Sequence, residues 1–233
     1  MLSNLKGEII LDAGCGNGWL SICASEKGFK VYSVDIGENE VKESSFIFKK
    51  GNFDIALTRT SLLDLPFNDS SFDSVICIFV LEHIRDIKGA LLEIRRVLKN
   101  HGRLIFAVPN GLTYGYFYDK IVYRFVPIEI VQSRSFKKTF SLTNREMEVL
   151  NLDRKETSMH HQQLTLPRVC RLLDGHGFKV INIVNCRFLS PFVRSFLALI
   201  GREPLSTFEE FDNRLADLIP LNLASEWVIT CEK

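Results

Sequence analysis

A glycine-dense turn between a short apolar segment and a helix-like segment most constrains how this chain can fold. Residues 9–20 read Ile-Ile-Leu-Asp-Ala-Gly-Cys-Gly-Asn-Gly-Trp-Leu, with glycine at positions 14, 16 and 18. Glycine at every second position lets a ligand approach the backbone where a Cβ atom would collide. The helix that follows would direct its N-terminal amides and the positive end of its dipole at that ligand. The pattern therefore predicts a strand, a nucleotide-type cofactor turn and a helix.

The residues around the glycines separate one class of cofactor from another. A dinucleotide fingerprint that starts at Gly14 needs glycine at position 19, where the chain has Trp19. Asp12 precedes the glycines, and its carboxylate suits a cationic amino-acid group better than a pyrophosphate. The pattern Asp-x-Gly-x-Gly-x-Gly resembles motif I of the class I S-adenosylmethionine-dependent methyltransferases. The resemblance implies that S-adenosylmethionine, which leaves as S-adenosylhomocysteine, is bound by Asp12, Gly14, Cys15, Gly16 and Gly18.

Length, composition and charge are those of an ordinary globular protein. The 233 residues suit one domain, and 46% of them are hydrophobic and 24% charged. A net charge of +1 creates no global field for nucleic acid, which we do not expect as a partner. The cysteines are scattered without a Cys-x-x-Cys pair, which argues against a zinc site or a disulfide framework. Neither a signal peptide nor an apolar run of transmembrane length is evident, so we expect a cytoplasmic protein.

Strand-like and helix-like segments alternate through the first half, which predicts a parallel sheet with helices on both faces. The predicted strands cover about 8–13, 30–35, 54–60, 74–79, 104–108, 178–186 and 227–231. The predicted helices cover 17–27, 38–50, 87–99 and 167–174, with Gly102 in the turn before the fifth strand. The methyltransferase resemblance implies an α/β, Rossmann-like, doubly wound sheet of seven strands, mostly parallel, with one antiparallel strand near the edge.

The acid that ends the second predicted strand is another candidate for cofactor binding. Asp35 stands where a carboxylate can accept hydrogen bonds from both ribose hydroxyls of an adenosine ligand. We assign Ile36, the next residue, to the same site. The alternative is that Asp35 caps the following helix, a role that aspartate also fills well.

Two further segments resemble motifs of the same family. Residues 61–73 resemble its Asp-Ala-x-x-Leu-Pro-Phe-x-Asp-x-x-Phe-Asp stretch, in which the acid and the next backbone amide read the adenine edge. Here Ser61 replaces the acid, whereas Leu62 keeps the amide. Residues 78–84 resemble the exit from strand four, which lines the sulfonium and the methyl group and includes Ile78.

The exit from strand four also bears on metal dependence. In ubiquinone-pathway O-methyltransferases a Glu-x-x-Glu-His run at this place holds a divalent cation. Here Phe79 replaces the first glutamate and leaves only Glu82 and His83. Two adjacent ligands make a poor site for a hard cation, so we predict no metal. A structural role for Glu82 is the favoured alternative.

Two histidines are the candidate general bases. Methyl transfer needs a base only where the acceptor must lose a proton. His83 and His161 have side chains whose unperturbed pKa suits that task. His83 is predicted at the carboxyl edge of the sheet, and His161 precedes the helix after the first insertion. A capping or surface position remains the alternative for each.

Two insertions, 110–160 and 188–223, are predicted to form lids or acceptor-recognition elements. Aromatic residues of the first could line an acceptor site or pack the lid onto the sheet. Its basic stretch 120–138 could attract an anionic group or be a solvated face. Apolar residues within 188–200 fit a second lid, a peripheral membrane contact or a homodimer interface.

The sequence as a whole predicts a single methyltransferase domain over residues 1–233. The expected acceptor is a small molecule, a lipid or a glycan, and O-methylation is the first choice. One alternative is a catalytically silent S-adenosylmethionine-binding protein that acts as a regulator or partner subunit. Another is an NAD-dependent oxidoreductase, which Trp19 and Asp12 disfavour.

Overall fold

Seven strands form one sheet in the computed structural model, which describes residues 1–111, 164–186, 206–221 and 224–233. The strands are β1 Ile9–Ala13, β2 Lys30–Asp35, β3 Ile55–Arg59, β4 Phe72–Ile78, β5 Leu98–Pro109, β6 Lys179–Cys186 and β7 Glu226–Glu232. The helices of the described ranges are α1 Trp19–Glu26, α2 Glu38–Lys50, α3 Ile87–Val97, α4 Leu166–Gly175 and α5 Ser206–Leu218, with 3₁₀ turns at Leu2–Asn4 and Leu81–His83. Of these helices, none has the length and apolarity needed to cross a bilayer.

The strand order is β3-β2-β1-β4-β5-β7-β6. Neighbouring strands from β3 to β5 run parallel, whereas β7 pairs antiparallel with both β5 and β6. This confirms the predicted seven-stranded, mostly parallel sheet with an antiparallel strand near its edge. The chain passes from β3 at one edge back to β4, so the strand order reverses between β1 and β4. Sheets of this kind bind ligands in the crevice at the carboxyl ends of such strands.

Buried apolar side chains hold the helices onto the sheet. Helix α3 buries one face, which consists of Ile87, Ala90, Leu91, Ile94 and Val97. Helices α1 and α2 share a second cluster formed by Ile22, Ile47 and Phe48. Each large side chain that leaves water contributes about 1.5–3 kcal/mol to folding. Packing therefore fixes the positions from which the loops at the carboxyl edge begin.

The predicted bounds of two strands, β4 and β5, are wrong. Strand β5 spans Leu98–Pro109 rather than 104–108, and it includes Gly102 instead of following a turn there. Its register with β4 shifts between Phe72 and Ser74, and His101 has a φ of 60°, so a bulge interrupts the alternation. Strand β4 begins at Phe72, two residues before its predicted start, and ends before Phe79.

The amino edge of the sheet is joined by hydrogen bonds that involve both ends of the chain. The Asp73 carboxylate accepts hydrogen bonds from the backbone amides of Glu8 and Ile9 and from Lys99 Nζ. Although burial opposes ionisation, these bonds outweigh it and lower the pKa of Asp73. Nearby, Asn4 Nδ2 donates to Thr230 Oγ1 over 3.1 Å, which connects the first residues to β7.

Candidate functional site

The crevice between β1 and β4 is bounded by the glycine turn on one side and the exit of β4 on the other. The backbone amides of Gly14 and Cys15 both donate to Val34 O of β2, at 2.8 and 2.9 Å. On the other side, a Cβ atom on Gly14 would lie 2.4 Å from a methyl carbon of Val80. The end of β1 is therefore enclosed between β2 and the residues that follow β4.

The three glycines of the turn meet different surroundings. Gly14 and Gly18 have φ values of 83° and 79°, and a Cβ at either would lie 2.4 Å from a side chain, Val80 and Phe48 respectively. Gly16 has a φ of 53°, but no atom of the described residues lies within 4 Å of the place a Cβ would occupy. Glycine at 14 and 18 thus serves internal packing, whereas the backbone of Gly16 is open to approach from the other described residues.

This difference predicts that alanine at position 14 mainly lowers stability, whereas alanine at position 16 mainly weakens ligand binding. In Gly14→Ala, the left-handed backbone and the collision with Val80 should together lower the free energy of unfolding by about 2–5 kcal/mol. In Gly16→Ala the loss should be about 1–2 kcal/mol, since only the backbone is strained. The added methyl would project into the ligand space and should weaken S-adenosylhomocysteine binding about tenfold, measured by calorimetry at a temperature where both variants are folded. Unchanged affinity in Gly16→Ala would exclude this turn from the ligand contact.

Asp35 connects the end of β2 to the glycine turn. Its Oδ2 accepts a hydrogen bond of 2.9 Å from the Gly16 amide, and its Oδ1 accepts one of 2.8 Å from the Gly37 amide. The N-cap residue of α2 is Gly37, so Asp35 does not cap that helix. A carboxylate offers about four lone-pair directions. Two amide bonds therefore leave it able to accept two hydroxyl donors, as the ribose prediction requires.

Asp12 lies beneath the turn and is almost inaccessible to solvent. The Ser21 hydroxyl of α1 donates to its Oδ2 over 2.5 Å, and the Ser33 hydroxyl of β2 donates to Ser21 over 2.8 Å. Burial raises the pKa of the Asp12 carboxyl to about 6, although the bond from Ser21 opposes the shift. Burial likewise raises the pKa of the Cys15 thiol, which keeps this cysteine protonated and unreactive at neutral pH.

The turn after β3 contains a backbone donor that no described residue pairs with. It is closed by a hydrogen bond from the Asp64 amide to Ser61 O, and the Leu63 amide donates to Ser61 Oγ. The Leu62 amide forms no hydrogen bond within the described parts of the chain. Ile36, at the end of the neighbouring β2, is 64% exposed. A planar ligand could accept a hydrogen bond from the Leu62 amide at its edge and pack its face on the exposed Ile36 side chain.

The exit from β4 contains a strained residue and a buried acid. Phe79 directly follows Ile78 and is 37% exposed, and its φ of 57° is a conformation that bulky non-glycine residues seldom adopt. Glu82 lies in the next turn with 1% exposure, and its Oε2 has no hydrogen-bond partner among the described residues. Burial, and to a lesser extent the charge of Glu226, raise the pKa of Glu82 to about 7. His83 ends this turn, and its amide donates to Val80 O.

The sequence missed some of these features and named one residue that is outside the described ranges. No local pattern signalled the backbone of Phe79 or the approach of Glu226, which depends on where β7 inserts into the sheet. His161 lies outside the described residues, as do the insertion residues 112–160, 188–205 and 222–223. Within the described ranges, no group of three or more His, Cys, Asp or Glu side chains is arranged to hold a metal.

Comparisons with other sequences identify the segment that carries this site. A family model described as a methyltransferase domain matches residues 11–106. An uncharacterised protein of Methanocaldococcus jannaschii is 43% identical over 107 residues, which cover 46% of this chain and 43% of that protein. A demethylmenaquinone methyltransferase of Tropheryma whipplei is 34% identical over 105 residues, covering 45% and 43% of the two chains. A ubiquinone biosynthesis O-methyltransferase of Rickettsia typhi is 27% identical over 117 residues, covering 50% and 47%. The match thus spans less than half the length of each relative.

Solved structures share the fold over nearly the whole chain. An S-adenosylmethionine-dependent methyltransferase from Thermotoga maritima superposes with a TM-score of 0.60 at 18% identity, covering 98% of this chain and 84% of its own. A cyclase superposes with a TM-score of 0.61 at 15% identity, covering 98% and 75%. At such identities the likeness concerns the fold alone, and the fold supports more than one reaction.

Proposed function

We propose that this chain, whose residues 11–106 match a family model described as a methyltransferase domain, transfers a methyl group from S-adenosylmethionine to a small-molecule, lipid or glycan acceptor. The observation that carries the proposal is the space in front of Gly16 that the described residues leave open, directly beside the Asp35 carboxylate. A backbone that can be approached closely and an acid with free lone pairs are what a nucleoside with an amino-acid tail requires.

The residues at the crevice fit the parts of the cofactor one by one. The Asp35 carboxylate would accept hydrogen bonds from the two ribose hydroxyls, and the exposed Ile36 side chain would pack on the base. The Leu62 amide, which no described residue pairs with, would donate to the adenine edge beside Ser61. Gly14, Cys15, Gly16 and Gly18 would hold the methionine part, with Ile78 on the side of the methyl group, and the negative field of Asp12 would favour the cationic amine.

Alignment of the acceptor supplies most of the catalysis that we propose. When bound, S-adenosylmethionine would supply an electrophilic methyl group, because its sulfonium sulfur leaves the methyl carbon readily. The residues of the crevice hold the acceptor in line with that carbon and exclude water. For a hydroxyl acceptor, the base that we propose is His83, in the turn after β4, and His161 is the second candidate. Residues 110–160 and 188–223 are proposed as the lid and acceptor-recognition elements.

O-methylation remains our first choice of reaction. The Rickettsia typhi relative is an O-methyltransferase of ubiquinone biosynthesis, and the Tropheryma whipplei relative methylates demethylmenaquinone. Both names concern quinones, and the first of them specifies O-methylation. The replacement of an acid by Phe79 at the β4 exit suits an apolar acceptor ring and an enzyme without a metal.

Calorimetric titration of the whole chain tests the cofactor assignment. We expect S-adenosylhomocysteine to bind with a Kd of about 1–100 μM, near the KM range typical of enzymes, and NADH not to bind. Transfer of labelled methyl to a catechol, but not to a primary amine, would then support O-methylation. Binding of NADH without S-adenosylhomocysteine would refute the proposal. Cofactor binding without transfer to a broad acceptor panel would instead support a silent cofactor-binding protein.

A further inference from the structure

One face of α3 is occupied by contacts to the loop that follows β3. Gly89, Glu93 and Arg96 are spaced i, i+4 and i+7, so they lie along one side of the helix. A Cβ on Gly89 would lie 3.1 Å from a methyl carbon of Leu63, and Glu93 Oε2 accepts a 2.9 Å hydrogen bond from the Leu65 amide. We call these three residues the α3 clamp.

Arg96 uses its whole guanidinium group in the clamp. Its contacts are Nε to Glu93 Oε1 at 2.8 Å, Nη2 to Glu93 Oε2 and to Leu65 O at 2.9 Å each, and Nη1 to Phe67 O at 2.7 Å and to Asp69 Oδ1 at 2.9 Å. These five contacts equal the five N–H donors of an arginine side chain. The hydrogen bonds from Arg96 lower the pKa of Glu93, so the pair stays charged at neutral pH. A lysine, with three donors on one nitrogen, cannot reproduce this pattern.

The clamp holds the loop at a point close to the unpartnered Leu62 amide. Leu62 is 5% exposed, and its neighbour Leu63 packs against Gly89. Phe67 lies edge-to-face with Tyr32 and Phe72, at centroid distances of 5.9 and 4.9 Å, which fixes the other end of the loop. Between these anchors, Glu93 and Arg96 hold the backbone at Leu65 and Phe67, directly after the segment that carries the Leu62 donor.

We propose that Glu93 and Arg96 are positioning residues for base recognition by the cofactor site, an inference that rests on the proposed function. Adenine carries an unprotonated acceptor at N1, which an amide can donate to, whereas hypoxanthine carries a proton there. A correctly placed Leu62 amide therefore favours an adenosyl over an inosyl ligand. A clamp that only stabilises the fold would leave this preference unchanged.

The test measures the affinities of S-adenosylhomocysteine and S-inosylhomocysteine for each variant by calorimetry. In Arg96→Ala the preference for the adenosyl ligand should fall about three- to tenfold, the range that one hydrogen bond provides. Arg96→Lys and Glu93→Gln should fall between this variant and the wild type, and they keep the test open if Arg96→Ala does not fold. Lys99→Ala is the matched control, because it breaks the 2.7 Å ion pair to Asp73 at the opposite edge of the sheet. It should lower stability but leave the preference intact.

The outcomes separate this inference from the proposed function. If the wild type binds neither ligand, the proposed function and this inference are both overturned. If it binds the two ligands with equal affinity, base recognition by the Leu62 amide is overturned, and with it the role of the clamp. A wild type that prefers the adenosyl ligand, with the same preference in all three clamp variants, overturns the inference alone. Faster amide hydrogen exchange at residues 62–67 in the Arg96 variants, but not in Lys99→Ala, would support it from a second side.

Discussion

Asp35→Ala should bind S-adenosylhomocysteine at least about 100-fold more weakly than the wild type. Each hydrogen bond between a ribose hydroxyl and a carboxylate contributes about 1.5–3 kcal/mol, so the loss of two corresponds to a factor of about 100–10,000. The variant also loses the bonds that tie the Gly16 and Gly37 amides to the end of β2. The turn would then have to be ordered by the ligand itself, which lowers the affinity further.

Two other variants delimit the role of Asp35. Asp35→Asn keeps the shape but lacks the charge, and it should fall between alanine and the wild type. Glu38→Ala removes another acid near the start of α2, whose side chain is 56% exposed and paired with Lys42 and Arg59. It should bind like the wild type. Equal affinities for Asp35→Ala and Glu38→Ala, in variants shown by circular dichroism to be folded, would remove Asp35 from the site.

The free energy of unfolding should rise by about 3–4 kcal/mol as the pH falls from 8 to 5. Burial raises the pKa of Asp12 from 3.8 to about 6 and that of Glu82 from 4.5 to about 7. Because both folded-state pKa values exceed the unfolded ones, the folded state binds these protons more tightly. This contribution is complete below the unfolded pKa values and is lost as the pH rises through 6 and 7. Asp73 and Glu93 have lowered pKa values, so their contribution disappears only in stronger acid.

Urea unfolding of Glu82→Gln at several pH values checks this dependence. The variant keeps the size of the side chain but removes a buried charge, so it should gain about 1–3 kcal/mol over the wild type at pH 8. Its stability should vary with pH only about a third as strongly between pH 8 and 5, because Asp12 alone then contributes. Glu38→Gln, an exposed acid with a lowered pKa, should keep the wild-type slope. A wild type that becomes steadily less stable from pH 8 to 5 would contradict the buried-acid account.

The first half of the fold was predictable because each element there carries its own local signal. The predicted bounds of β2 and α2 agree with the structure, since an apolar alternation ends on Asp35 and a helical pattern ends at Gly51. The predicted β5 was too short because residues 99–101, near its start, are polar and bulged. In the sequence they therefore resemble a turn. Bulges depend on the partner strand, which a single segment of sequence does not specify.

The site shows the same division between local and long-range causes. The motif pointed to Gly16 and Asp35, but not to the hydrogen bond that joins them or to the collisions that require glycine at 14 and 18. Those follow from Val80 and Phe48, which belong to distant segments. Glu93 and Arg96 lay within a predicted helix, yet only the tertiary structure shows that they face the loop after β3. Sequence patterns thus identify the residues that touch a ligand more readily than those that hold them in place.

The hydrogen bond between Asn4 and Thr230 has a practical consequence for handling the protein. Since β7 runs antiparallel to β5, its last residues return to the amino edge, where the Lys233 amide donates to Gly102 O. Both ends of the described chain therefore emerge on the side opposite the crevice. An affinity tag or fluorescent fusion at either described end should leave the crevice between β1 and β4 clear on a sensor surface. The two ends are also near enough to be joined by a short linker, and a circular permutant reopened at the exposed Asp69–Ser70 turn should retain the sheet.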